Sequence, residues 1–209
     1  MESTTDETPA ARSLLSKHRA VDGDFSFAEH LAGTGLKLCF DFWRAQRRGA
    51  AVPRKSSIDP VEMPIVILPN LFIYEQTSPG TFRCRLAGTE ICRATGRNPT
   101  GLYLHEQVAP AARESRTRLF TNVIERGKPV VYGGRMVDSP HTWLQFKRLL
   151  LPVARDGSRA DTIFGMLVFP TIELSVSLAM NPTLDFVAWA TGHDLAEASP
   201  AEPVARTRL

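Results

Sequence analysis

The sequence predicts an α+β domain built on an antiparallel sheet, and two observations lead to that class. The elements run in the order long helix, two strands, short helices, a second long helix and three strands, without the strand–helix alternation that builds a parallel sheet. The last strand signal, DTIFGMLVF at 161–169, is apolar on both faces: Ile163, Leu167 and Phe169 on one, Phe164, Met166 and Val168 on the other. A strand dry on both sides belongs in the middle of a sheet that is covered twice.

Each element has a local reason. Residues 1–26 are rich in Ser, Thr, Asp and Glu, hold no sustained period and read as a disordered segment. From Phe27 to about Arg48 the pattern is helical and amphipathic, with Phe27, Leu31, Leu38 and Phe42 on one stripe, Leu36, Phe40 and Trp43 beside it, and Gly49 as the stop. This helix and the linker AVPRKSSIDPVEMP make up a segment 27–59 and lead into the core domain, 60–172. LFIYEQ, the turn TSPGT and FRCRLAG then spell a β-hairpin in which Phe82, Cys84 and Leu86 alternate with Arg83 and Arg85.

The next stretch is short and helical, with Thr89 as the expected N-cap and Gly96 as the C-cap. LYLHEQV at 102–108 reads as a turn or short helix. PAARESRTRLFTNVIER at 110–126 reads as a long helix, with Pro110 in its first turn and Arg116, Leu119, Phe120, Val123 and Ile124 on one side. PVVYGGRMV, TWLQFKRLLLPV and the 161–169 run are strands joined by turn residues. LDFVAWA, inside a C-terminal extension 173–209, reads as a short helix.

Composition narrows the function classes. The chain has 209 residues, 43% hydrophobic and 22% charged, which suits a globular core. No apolar run approaches the about 20 residues of a membrane span, and the polar N-terminus lacks the blocks of a secretory signal, so a cytoplasmic protein without membrane insertion is expected. The net charge of +3 is spread, with small clusters at Arg44, Arg47 and Arg48 and at Arg93 and Arg97. A nucleic-acid partner would call for a longer basic stripe or interleaved aromatics, so none is expected. Cys39, Cys84 and Cys92 have neither CxxC nor zinc-ligand spacing and read as reduced, packed thiols.

The motifs RLAGTxI, GRxxTG and RLLLPV, within 69–106 and 146–170, resemble the PAS domain family, above all short bacterial proteins with a single divergent PAS domain. The resemblance covers roughly residues 60 to 172. It implies a five-stranded antiparallel sheet in the order 2-1-5-4-3 with helices on one face. It also gives the N-terminal amphipathic helix a use, either packing on the open sheet face or pairing with its copy in a homodimer.

Under that reading an apolar cavity lies between sheet and helices, walled by Phe82, Leu86, Ile91, Leu104, Leu119, Val123, Leu144 and Phe146, and the alternative is a filled core. The glycines of RLAGTEICRATGRNPTG serve as structural corners, or else the stretch forms a polar lip where Arg85, Thr89 and Arg97 contact an anion. Neither GxxxxGK[ST] nor GxGxxG is present, so it is not a phosphate loop.

No cofactor is identified. GRNPTG lacks the reactive Cys of flavin-binding relatives, residues 109–127 contain no His to hold haem, and His105 is the only substitute. DSPH at 138–141 lies in one short hairpin loop, which disfavours triad geometry. The expected function is a cytoplasmic sensory or signalling module, not an enzyme. It would bind a small molecule or a regulatory protein and act through a change of partner or oligomer. A ligand-free interaction scaffold is the second reading and a small α+β cone-type enzyme the third.

Overall fold

The structure, a computed structural model, describes residues 26–136, 144–169 and 184–196. Of the segment 1–26 expected to be disordered, residues 1–25 lie outside the described residues, as does the DSPH loop, whereas Ser26 is described as the N-cap of the first helix. The architecture is a single antiparallel sheet with a helical layer on each face. Its strands are β1 (Leu71–Ser78), β2 (Thr81–Ala87), β3 (Val130–Met136), β4 (Leu144–Val153), β5 (Thr162–Val168) and β6 (Leu184–Trp189). They run in the order β2-β1-β5-β4-β3-β6. The first five reproduce the expected order, and the segment read as a short helix is instead a sixth strand. LDFVAWA pairs with β3 from Val130↔Trp189 to Gly134↔Leu184. A seven-residue run is too short for its period to decide, and the open edge of β3 decides it.

β5 occupies the middle, paired with β1 and β4. Ile163 and Leu167 face one hydrophobic cluster, Phe164 and Met166 the other. The first cluster lies between the sheet and the helices α3 (Thr89–Thr95) and α4 (Arg113–Arg126), the latter preceded by a 3-10 turn at Pro110–Ala112. The second lies under α1 (Phe27–Leu31) and α2 (Gly35–Gln46).

The single long N-terminal helix of the sequence reading is thus two helices. Ser26 and Glu29 form a capping box that starts α1. Gly33, at φ +69°, breaks the chain before α2. The break rotates the stripe, so that Leu36, Cys39, Phe40 and Trp43 are buried while Leu38 is 45% exposed. Trp43 fastens the helix to the sheet, its indole Nε1 donating to the Pro152 carbonyl at 2.8 Å. Pro152 lies beyond Leu150, the last residue of β4 with a β3 partner, so its missing N–H removes no bond to that strand.

The basic end of α2 holds the C-terminal helix α5 (Gly192–Leu195): Arg47 Nη1 donates to Leu195 O at 2.8 Å and Arg44 Nη1 to Ala196 O at 3.3 Å. Two of the three arginines in that cluster therefore cap carbonyls rather than stand free in solvent.

Gly88 and Gly96 act as corners, each in its own way. Gly96 ends α3 at φ 68°, as expected of a C-cap. Gly88 has an ordinary φ of −68° and is itself the residue before the helix, with Thr89 one place inside. A Cβ there would lie 2.2 Å from the Pro69 carbonyl oxygen, so close approach, rather than a special dihedral, requires glycine.

Trp43→Phe keeps most of the ring packing and leaves the Pro152 carbonyl without its buried donor. Urea unfolding should show a loss of about 1–3 kcal/mol with an unchanged m value.

Candidate functional site

The layer between the sheet and α4 collects most of the residues expected to line a pocket. Phe82, Ile91, Leu104, Leu119, Val123 and Phe146 all belong to its buried cluster. Leu86 does not. A register shift in β2, with Ile73 opposite Leu86 but Tyr74 opposite Cys84, skips Arg85 and turns Leu86 to the other face, where it is 38% exposed. Leu144 pairs with Met136 at the start of β4, and its side chain lies outside the described residues.

The expected polar lip is dispersed. Thr89 and Arg97 are exposed, Arg97 donating to Glu106 O at 3.3 Å. Arg85 pairs with Glu75 at 3.2 Å. Lys55 also pairs with Glu75, and its hydrogen bond is the main reason the Glu75 carboxyl is held below its ordinary range. His105 is exposed and stacks on the Tyr103 ring, with centroids 5.7 Å apart. No group of three or more His, Cys, Asp or Glu is placed to hold a metal among the described residues.

Two cations enter the layer instead. Arg148 lies on β4 between Phe146 and Leu150, on the face that points to α4. Arg116 lies on the buried side of α4. Both approach Tyr132. Arg148 Nη1 donates to the Tyr132 hydroxyl at 3.3 Å, and the Arg116 guanidinium stands 4.6 Å from the centre of the Tyr132 ring. Arg148 also lies over Phe72 at 5.1 Å, and Arg116 over Phe146 at 5.7 Å. Phe72 reaches that position across Gly165, where a Cβ would meet its ring at 2.6 Å.

Cation–π contact offsets part of the desolvation of a guanidinium. It leaves the Nε–H of each arginine buried without an acceptor among the described residues, at about 1–3 kcal/mol apiece. The sequence held the signal for both residues: in QFKRLLL the alternation that puts Phe146 and Leu150 inside also puts Arg148 there, and Arg116 already shares the apolar side of its helix.

Tyr74 continues the polar line. It sits opposite Cys84 on the neighbouring strand, and its hydroxyl donates to Gln107 Oε1 at 2.5 Å. The Gln107 amide donates in turn to Leu102 O and Tyr103 O. A core tyrosine is thereby tied to the loop that follows α3. Burial pushes the Tyr74 hydroxyl upward, with the Arg148 charge opposing. Burial likewise raises the Cys39 and Cys84 thiols. A separate cleft of about 360 Å³ opens at the β4–β5 turn, lined by Gln76, Arg155, Asp156 and Asp161 among others, and contains none of the expected residues.

This fold and this interior agree with the comparison with known families. A PAS domain family model matches residues 32–168, more than half of the chain, and the chain belongs to the PAS domain family. PAS domains are in general sensory and signalling modules. The match begins just ahead of α2 and ends with β5, so it takes in the helix that covers the second face. No curated protein matches the chain. No described helix is long and apolar enough to cross a membrane.

Two outcomes follow from the burial of these groups. An aromatic disulfide reagent should modify half-buried Cys92 first and buried Cys39 last, at the rate of unfolding. Equal rates at all three thiols would contradict the packing. For Tyr74, a folded value above the unfolded value of about 10 means that its contribution is whole below that pH and is lost as pH rises through and beyond it. The stability difference between the native protein and Tyr74→Phe, measured by urea unfolding, should therefore shrink on going from about pH 8 to about pH 11.

Proposed function

We propose that the chain is a cytoplasmic sensory module whose sheet–α4 layer takes a small molecule and whose output is a change of protein partner or oligomer. The observation that carries this reading is the set of polar groups inside that layer, Arg116, Arg148, Tyr132 and Tyr74, buried among apolar side chains. A core serving stability alone gains nothing from guanidinium groups with open donors. Phe82, Ile91, Leu104, Leu119, Val123 and Phe146 supply the apolar wall around them.

Occupancy would reach the surface by two routes: the Tyr74–Gln107 bond into the 88–108 segment, and the central strand into α2. A homodimer through the N-terminal helix would use the outward face of α2, where Leu38 is exposed, because Leu36, Cys39, Phe40 and Trp43 are committed to the sheet of their own chain. The scaffold reading draws on a different feature, the exposed Val61, Ile65 and Val66 in the segment before β1, an apolar surface suited to a protein partner.

Native mass spectrometry and a thermal-shift panel of small molecules separate the two. The sensory reading expects a copurifying or added compound that raises Tm, together with a light-scattering mass twice that of the 23.1 kDa chain. A monomer at every concentration removes the dimer route. A panel without any shift and a protein without any ligand leave the scaffold.

A further inference from the structure

Arg116 and Arg148 are 8% and 9% exposed and stand on opposite walls of one layer, the helix α4 and the strand β4. Each carries a buried Nε–H with no acceptor among the described residues. Among the described residues no carboxylate lies within ion-pair distance of either; every described ion pair involves other side chains. Their contacts are the Tyr132 hydroxyl and the rings of Tyr132, Phe146 and Phe72.

An arginine is permanently charged and offers its donors as a planar fork. The Nε–H and the neighbouring Nη–H form the edge that takes both oxygens of a carboxylate, and here the Nε half of that edge is open twice. Two like charges sharing one apolar layer call for an anion, and the aromatic lining calls for an apolar body attached to it.

We infer that Arg148 and Arg116 form an anion site inside the sheet–α4 layer, and that it takes the carboxylate of a small organic acid whose apolar body rests on Phe72, Tyr132 and Phe146. The inference depends on the small-molecule reading above and names the chemical class of its ligand. Arg148, with a hydrogen bond to Tyr132 and a place on β4 opposite Leu167 of the central strand, holds the carboxylate; Arg116 closes over it from the helix.

Arginine Nε–H resonances of the full-length ¹⁵N-labelled chain, assigned by their loss in Arg148→Met and Arg116→Met, provide the test. Formate, acetate and benzoate are the probes, with inorganic phosphate as comparator. Both resonances should move saturably with a carboxylate, and Tm should rise with its concentration. Arg148→Met should weaken binding about tenfold or more and, without any acid present, melt above the native protein, because an uncompensated buried charge is gone. Arg85→Met, at the surface beside Glu75, should bind as the native protein does.

If Arg148→Met does not fold, Arg148→Lys keeps the charge without the fork and should also lose about tenfold. Unmoved resonances with all three acids, movement with phosphate alone, or unchanged affinity in the Arg148 variants would overturn the inference. A neutral compound that binds the native protein and Arg148→Met equally would overturn it while leaving the sensory reading intact, whereas a chain that binds no small molecule ends both.

Discussion

β5 is apolar on both faces, and that double demand organises the molecule. Ile163 and Leu167 need a cover on one side, Phe164 and Met166 on the other. Burying each such side chain is worth about 1.5–3 kcal/mol, more than any single surface contact can supply. The helices α3 and α4 cover the first face. The second would stay open on a bare five-stranded domain, and α1 and α2 close it, fixed by Trp43 to the Pro152 carbonyl. The N-terminal segment is therefore part of the core. Its basic end then reaches the carbonyls of α5, which follows β6, so both ends of the described chain converge on the same side of the sheet.

The two layers differ in character. The one under α1 and α2 is apolar, with the Trp43 indole as its polar handle. The one under α4 contains two guanidinium groups and two tyrosine hydroxyls. Two orphaned donors at roughly 1–3 kcal/mol each are a sizeable share of the about 5–15 kcal/mol that keeps a domain folded. Stability alone would select an apolar side chain of similar length at both positions. The cost makes sense if the layer has a use that an apolar core would not serve. The segment 88–108 is connected to that layer through Gln107, and α2 through β5, so both lie where a change in occupancy would be felt.

Much of this was legible in the residues. The two apolar faces of 161–169 placed β5 in the centre, and Pro79-Gly80 between alternating runs placed the first hairpin. What escaped was set by tertiary context. LDFVAWA became a strand because β3 offered an unpaired edge. Leu86 changed face because of a one-residue shift that no alternation reveals, and the N-terminal helix broke at Gly33. Six of the expected pocket residues do share one cluster, since alternation and helical period are reliable within an unbroken element. The cations were missed for a different reason: Arg116 and Arg148 lay in apolar registers in plain view, while Arg85 and Arg97, beside glycines, drew attention to loops instead.

Native-state amide hydrogen exchange tests the doubly covered strand most directly. The account predicts that the amides of 162–168 exchange only through global unfolding, with the edge strands β2 and β6 opening at lower free energy. Exchange of β5 as fast as that of either edge strand would contradict it, because a strand sealed between two layers has no local route to water.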